Sequence, residues 1–197
     1  MKRSAISIIG ICGIATTALS QNFSLTLVPS VQTIDTSAGA VTMTVTVIGD
    51  ADVGTHMLGG VFGIQTDSAS IIDMQWQPAI WSTFNEDGGY AGNGNYNQTL
   101  YAQLIPDHFP LPDSSLLGNP IGSFQVTIAA DQVGQAEMSI FPGEPFAMET
   151  HDEVSGRLYR SSDGNLTLNG ATLIFVPAPG AASLLAFAGV VVTRRRR

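Results

Sequence analysis

The chain has 197 residues, of which 44% are hydrophobic, 8% aromatic and 12% charged, so it fits one domain or two small ones and is not mainly disordered. All sixteen acidic residues but only two of the eight basic residues lie in the span 21–176, which therefore has a net charge of −14. A surface this acidic repels nucleic acids and anionic lipids, and we expect neither as a partner.

Residues 1–20 have the features of a secretory signal peptide. Lys2 and Arg3 form a short positive region, and an apolar run of about 15 residues follows, which is shorter than the ~20 residues of a membrane-spanning helix. Small residues then occupy the positions that a signal peptidase recognises. The predicted cleavage site comprises Ala18, Ser20 and Gln21.

Cys12, the only cysteine, lies inside this apolar run. Ile11 precedes it, whereas a lipoprotein signal needs small residues there, so we expect no lipidation. The mature protein is therefore predicted to have no disulfide and no cysteine-based metal or redox site. Its stability must come from the core that about 156 residues can bury.

The span 21–175 is predicted to be all-β. Val41–Val47 and Phe23–Val28 alternate apolar and polar residues with period two, and turn residues such as those of Asn169-Gly170 separate the candidate strands. About nine short strands, each with one polar face, indicate an antiparallel β-sandwich, with a mixed α+β domain as the lesser alternative. The other candidates are 60–66, 70–75, 98–105, 121–129, 135–141, 166–168 and 171–176.

Three segments in this span resemble the strands of cohesin-like or carbohydrate-binding-module-like sandwiches. They read VTMTVTV after a Ser-Ala-Gly turn, LGGVFGIQTD, and later GSFQVTIAA. The resemblance is loose and covers about residues 23–175. It implies a β-sandwich binding module, and it assigns no partner-binding residue to this chain.

The region 76–119 combines aromatic residues with a glycine- and asparagine-rich run over 85–97. Such runs form long loops or irregular hairpins, which often carry function. Aromatic rings stack on sugars, and asparagine amides bond to hydroxyl groups, so a neutral exopolysaccharide is a candidate ligand here. The alternative is that the tryptophans close one end of the core. The candidate glycan-binding residues are Trp76, Trp81, Tyr90 and Tyr96.

We predict no cofactor, no metal site and no catalytic residue. The turns Asp50-Ala-Asp52, Glu86-Asp87 and Asp163-Gly-Asn165 are rich in oxygen ligands, which leaves weak Ca²⁺ binding open, but none has the EF-hand order. The histidines show no metal-ligand spacing, and the acidic segment 149–153 is typical of a solvated loop although it could hold a proton shuttle. A secreted polysaccharide hydrolase remains the alternative, because sequence does not give the distance between two carboxylates.

The C-terminal residues 176–197 have three parts. A proline motif ends the folded domain, an apolar run of 13 residues over 181–193 forms a helix about 20 Å long, and four arginines follow. Arginines hold their end of such a helix in the cytoplasm, which places the preceding domain on the other side of the membrane. The residues of the motif and of the cluster are Val176, Pro177, Ala178, Pro179, Gly180, Arg194, Arg195, Arg196 and Arg197.

This arrangement resembles the PEP-CTERM sorting signal, in the VPAPG form common in planctomycete-like sequences. Pro177 and Pro179 match the motif prolines, and Ala178 stands where glutamate is usual, which leaves the efficiency and the position of cleavage open. The resemblance implies an exosortase-type membrane protease-transpeptidase as a partner. It also implies a surface or matrix location, with the C-terminal helix as a transient anchor in the inner membrane.

Together these features predict three segments: a signal peptide over 1–20, a β-sandwich ectodomain over 21–175 and a sorting signal over 176–197. We expect a non-catalytic, exported cell-surface or matrix protein.

Overall fold

The computed structural model describes residues 21–104 and 111–176, which form a β-sandwich of two sheets. The all-β prediction is confirmed. The strands, in chain order, are β1 (Asn22–Pro29), β2 (Thr33–Asp35), β3 (Val41–Ala51), β4 (His56–Gln65), β5 (Ile71–Pro78), β6 (Phe84–Glu86), β7 (Tyr90–Gly92), β8 (Asn95–Ala102), β9 (Pro120–Ile128), β10 (Gly134–Pro142), β11 (Glu149–His151), β12 (Leu158–Arg160), β13 (Asn165–Asn169) and β14 (Ala171–Val176). The described residues also contain two single-turn 3₁₀ helices, Asp113–Ser115 and Ser161–Asp163.

The first sheet has five strands in the order β13-β1-β3-β9-β5. Strand β3 lies at its centre and shows how the alternating pattern is used. Met43, Val45 and Val47 are buried, while the threonines between them face away from the core. This period of two gives one apolar face and one polar face.

The second sheet has nine strands, and β4 lies at its centre. One edge of β4 pairs with β11 and then with β10, and the other edge pairs with β8. Strand β8 in turn carries the short strands β6 and β7. The glycine- and asparagine-rich run is therefore part of an irregular hairpin at the edge of this sheet.

Both sheets are mixed, which corrects the expectation of purely antiparallel pairing in one respect. Strand β1 pairs in parallel with β13, and β2 pairs in parallel with β14, while the other pairs are antiparallel. Alternation of side chains does not depend on strand direction, so the sequence pattern carried no sign of these two pairs.

An aromatic cluster fills the space between the sheets. The ring of Phe62 lies edge-on to Trp76 at 5.4 Å and to Tyr101 at 5.8 Å between centroids. Phe124 packs against Trp76 at 4.9 Å and against Tyr96 at 5.0 Å. Edge-to-face pairs of this kind stabilise a core beyond the area that they bury.

In residues 21–104 and 111–176 no helix is both long and apolar enough to cross a membrane. The predicted signal peptide over 1–20 and the predicted C-terminal helix lie outside the described residues, as do the arginine cluster and all of the proline motif except Val176.

Candidate binding surfaces

The four aromatic residues predicted to bind glycan do not form an exposed strip. Trp76, Trp81 and Tyr96 are buried, with 7%, 3% and 2% of their surfaces exposed, and Tyr90 is half-buried. The two tryptophan rings contact other core rings and present no face to a sugar. The prediction that these four rings form a stacking surface is therefore wrong. The tryptophans are core aromatic residues, as the alternative interpretation had it.

The two tyrosines in this set hold the hairpin against the other sheet. The Tyr96 hydroxyl group donates to the Asp87 carboxylate and accepts from the Trp76 backbone N–H at 3.2 Å. Burial, followed by the bond to Asp87, raises the pKa of Tyr96 to about 12. The Tyr90 hydroxyl group donates to the Ile71 carbonyl and accepts from the Gly94 N–H.

The oxygen-rich turns use their side chains within the fold. The Asp52 carboxylate accepts from the backbone and the side chain of Asn22, and Asp87 accepts from the Gly89 N–H as well as from Tyr96. No group of three or more His, Cys, Asp or Glu residues within the described ranges could hold a metal ion. Weak Ca²⁺ binding stays a prediction.

A Ser–His–Glu arrangement occurs at one end of the nine-stranded sheet. Nδ1 of His56 lies 3.0 Å from Oγ of Ser115, and Nε2 lies 3.6 Å from the Glu153 carboxylate. Ser115 is fully buried, and its hydroxyl group donates to the Pro112 carbonyl at 2.8 Å. Its oxygen therefore accepts from His56, and it is not placed to attack a substrate.

The acidic segment 149–153 is otherwise structural. Glu149 forms an ion pair with Arg160 at 3.0 Å. Asp152 accepts from the backbone N–H groups of Val154 and Ser155 and thereby fixes the next turn. None of the three cavities described below holds the two carboxylates that glycoside hydrolysis needs, so the described residues lend the hydrolase alternative no support.

An open apolar depression of about 300 Å³ lies over β4 and β8, and we call it the β4–β8 groove. Its floor is formed by 58–61 and 100–104, and its wall by Pro145, Phe146 and Glu149. Val61 of β4 and Leu100 of β8 alternate with core residues along their strands, so they face away from the core. Leu104 lies two residues beyond the end of β8 and is exposed.

Glycines allow the wall of the groove to approach its floor. A Cβ atom at Gly60 would lie 2.0 Å from the Ala147 carbonyl oxygen, so only glycine fits there. The wall is fixed further by Arg160, whose guanidinium group lies 5.2 Å from the Phe146 ring centroid while it pairs with Glu149. The groove is therefore held in shape by the fold itself.

The apolar surface continues beyond the groove. A neighbouring cavity of about 430 Å³ shares Gln103 and Leu104 with it and includes Ile80. Ile80 is 91% exposed and Leu104 is 79% exposed. Large apolar side chains exposed next to a preformed groove make this region a candidate interaction surface.

A third cavity, of about 210 Å³, lies toward the other end of β4, and we call it the Phe141 cavity. Its residues come from β4, β7, β8 and β10 and from the turn after β4. They combine a half-buried aromatic ring with amides and one carboxylate. The lining residues are Ile64, Gln65, Asp67, Ala91, Asn95, Tyr96, Asn97 and Phe141.

Sequence reasoning located part of these surfaces and missed the rest. The run 85–97 supplies two of the three amides of the Phe141 cavity, Asn95 and Asn97, and Gln65 of β4 supplies the third. Phe141 was overlooked because it lies 44 positions after Asn97 and has no neighbouring glycine or asparagine. The groove was overlooked because Gly59 and Gly60 read only as strand residues, and no signal in the sequence points to Ala147 as their neighbour.

The ends of the described region give limited information on the predicted processing sites. The Gln21 carbonyl accepts from the Asn165 N–H next to β1. Val176 is the last residue of β14 and lies opposite Asp35, so it belongs to the sandwich as well as to the predicted motif. The other residues of both predicted signals lie outside the described ranges.

The fold is similar to that of cohesin modules. The seventh ScaB type I cohesin from Pseudobacteroides cellulosolvens has a TM-score of 0.50 and 6% identity, over 81% of this chain and 94% of that chain. A cohesin module from the family 33 glycoside hydrolase of Clostridium perfringens has a TM-score of 0.49 and 8% identity, over 80% of this chain and 98% of that chain. No family model and no curated protein matches the sequence.

At these identities the likeness concerns the fold alone. The chain thus has a cohesin-like β-sandwich fold, as the three strand segments led us to expect. The resemblances to carbohydrate-binding modules and to the PEP-CTERM signal stay predictions.

Proposed function

We propose that this protein is an exported, non-catalytic module that binds a protein partner through the β4–β8 groove. The observation that carries the proposal is the continuity of the groove with the exposed side chains of Leu104 and Ile80. A preformed apolar surface buries a partner without a large ordering cost. The cohesin-like fold is compatible with this role, since a sandwich presents broad sheet faces.

The shape and charge of this region indicate the kind of partner. A depression bounded by a floor of two strands and one wall accepts an amphipathic helix, which inserts apolar side chains at helical spacing. The span 21–176 has a net charge of −14 and no lysine. We therefore propose a partner helix whose apolar face is flanked by lysine or arginine, because opposite charge speeds association and excludes acidic competitors.

The groove can be tested by photo-crosslinking in cells. A photoreactive amino acid in place of Leu104 is expected to give a discrete crosslinked protein of higher mass. The matched control is the same amino acid in place of Val28, which is 41% exposed on the opposite sheet. Equal products from both positions, or none from position 104, would contradict the proposal.

We also propose that an exosortase-type system sorts the protein to the cell surface or matrix. The support is the order of the signal peptide, the VPAPG motif, the apolar run and the four arginines. In this scheme the membrane holds the chain only through the C-terminal helix before processing. Cell fractionation with sequencing of both mature termini tests it, and a cytoplasmic protein that retains Arg197 would contradict it.

A neutral polysaccharide is the second ligand that we propose. The specific support is the Phe141 cavity, which combines an aromatic ring with uncharged amides. Polyanionic glycans are disfavoured by the charge of −14, whereas neutral ones are not.

A further inference from the structure

We propose that the Phe141 cavity is the sugar-binding site, and that it takes one unit of a neutral polysaccharide against the ring of Phe141. This inference rests on the polysaccharide binding proposed above and assigns it to a place and to residues. The volume of about 210 Å³ is below the ~300–1,000 Å³ of sites for drug-sized ligands, and it suits a single unit of a longer chain.

The aromatic platform is held in place by a glycine. A Cβ atom at Gly63 would lie 2.2 Å from Cζ of Phe141, so the ring lies directly on the backbone of β4. Phe141 pairs with Gly63 across β4 and β10, and its half-buried side chain lines the cavity. A ring that is already ordered offers an apolar face to a sugar at little cost in entropy.

The polar groups around the ring are ordered by one another. Asp67 has a left-handed backbone, with φ of 52°, and its carboxylate accepts from Gln65 at 2.9 Å and from Asn95 at 3.0 Å. Asn95 Oδ1 accepts from the backbone N–H groups of Thr66 and Asp67. The turn thus holds a carboxylate and an amide at the edge of the cavity.

These groups retain capacity for sugar hydroxyls. The Asn97 amide donates to the Gly88 carbonyl at 3.0 Å, and an amide has a second N–H and an acceptor oxygen, for which the described residues provide no partner. Bonds from Gln65 and Asn95 lower the pKa of Asp67, so its carboxylate is ionised at neutral pH and accepts from hydroxyl groups. The same charge repels uronate or sulfate groups, which is why the proposed ligand is neutral.

Affinity gel electrophoresis of the purified full-length protein tests this site. The probes are dextran, laminarin and galactomannan, with alginate as the polyanionic comparison. We expect at least one neutral polysaccharide to slow the migration of the protein, and alginate to leave it unchanged. Phe141→Ala is expected to weaken that binding at least tenfold, and Phe141→Tyr to retain it.

Two further variants separate binding from folding. Asn97→Ala changes an exposed side chain and is expected to weaken binding severalfold without loss of the circular dichroism spectrum. Phe84→Ala is the matched control, because it removes a 60% exposed ring outside the cavity, and it should bind like the parent. Unchanged binding by folded Phe141→Ala and Asn97→Ala would overturn the site alone. Failure of the parent to bind any neutral probe would overturn the proposed polysaccharide binding as well.

Discussion

The hydroxyl group of Tyr96 connects three parts of the molecule. It is carried by β8 of one sheet, donates to Asp87 in the hairpin and accepts from the Trp76 N–H in β5 of the other sheet. Tyr96 is 2% exposed, so water does not readily replace these bonds. A buried group that loses its partner costs more than an average hydrogen bond contributes.

We expect Tyr96→Phe to lower the free energy of unfolding by about 1–3 kcal/mol, because the Trp76 N–H is left buried without its acceptor. Urea denaturation followed by tryptophan fluorescence measures the change. Tyr159→Phe, a half-buried position on the edge strand β12, is the control and should change stability by less than about 0.5 kcal/mol. Equal losses in both variants would show that the hydroxyl of Tyr96 has no special role.

The bond between Asp52 and Asn22 predicts a dependence of stability on pH. The backbone N–H of Asn22, and then its side chain, lower the pKa of Asp52 below the usual value of 3.8. Because the pKa of Asp52 is lower in the folded state than in the unfolded state, the bond stabilises the fold at any pH above the unfolded-state pKa. This contribution is lost as the pH falls through the folded-state pKa. Unfolding free energies between about pH 2 and pH 6 should therefore fall less steeply in acid for Asp52→Asn than for the parent. Parallel curves would contradict this.

At the scale of elements, alternation located the long strands and missed the short ones. β3 was recognised because it carries several periods of the pattern, and β9 was recognised in the same way. β2, β6, β7, β11 and β12 have three residues each, too few to show a period. Their positions follow from contacts with neighbouring strands, and a local pattern does not encode such contacts.

For the same reason, the sequence predicted the binding surfaces only in part. The two asparagines of the Phe141 cavity, Asn95 and Asn97, lie in the segment that the sequence indicated as a candidate ligand region, whereas Gln65 comes from β4. The stacking ring comes from β10, and the wall of the groove comes from the segment after β10. The pairing of β4 with β10 brings Phe141 to this strand, and the pairing of β4 with β11 brings the groove wall to it.

Strand β4 is expected to tolerate no side chain at Gly60. An added Cβ atom would meet the backbone of Ala147, which has no rotamer to change, so either the groove wall or the strand must move. We expect Gly60→Ala to cost about 1–3 kcal/mol and to abolish crosslinking from position 104. Gly156→Asn is the control, since Gly156 has a φ of 68° that asparagine tolerates and no atom lies within 4 Å of the added Cβ. A groove still competent for crosslinking in a Gly60→Ala protein of parental stability would contradict the assigned role.

At the scale of the whole molecule, the last two strands join the sheets to each other. β13 pairs with β1 in the five-stranded sheet, and after Gly170 the chain continues as β14 between β10 and β2 of the other sheet. Leu173 and Phe175 of β14 are buried in the common core. Both parallel pairs of the fold therefore depend on residues 165–176.

The joining of the two sheets by β13 and β14 predicts how far the chain can be shortened. A chain of residues 21–176 keeps both parallel pairs and is expected to unfold in one cooperative transition, so processing beyond Val176 would leave the sandwich intact. A chain of residues 21–164 loses Leu173 and Phe175, whose burial stabilises by about 1.5–3 kcal/mol each, and leaves unpaired edges on β1 and β10. We expect it to aggregate or remain unfolded, as measured by circular dichroism and thermal denaturation.

Ile174→Ser in the longer chain, at a 37% exposed position, controls for a change of composition and should melt close to the parent. A chain of residues 21–164 that melts cooperatively within a few degrees of the longer one would contradict the structural role of β13 and β14.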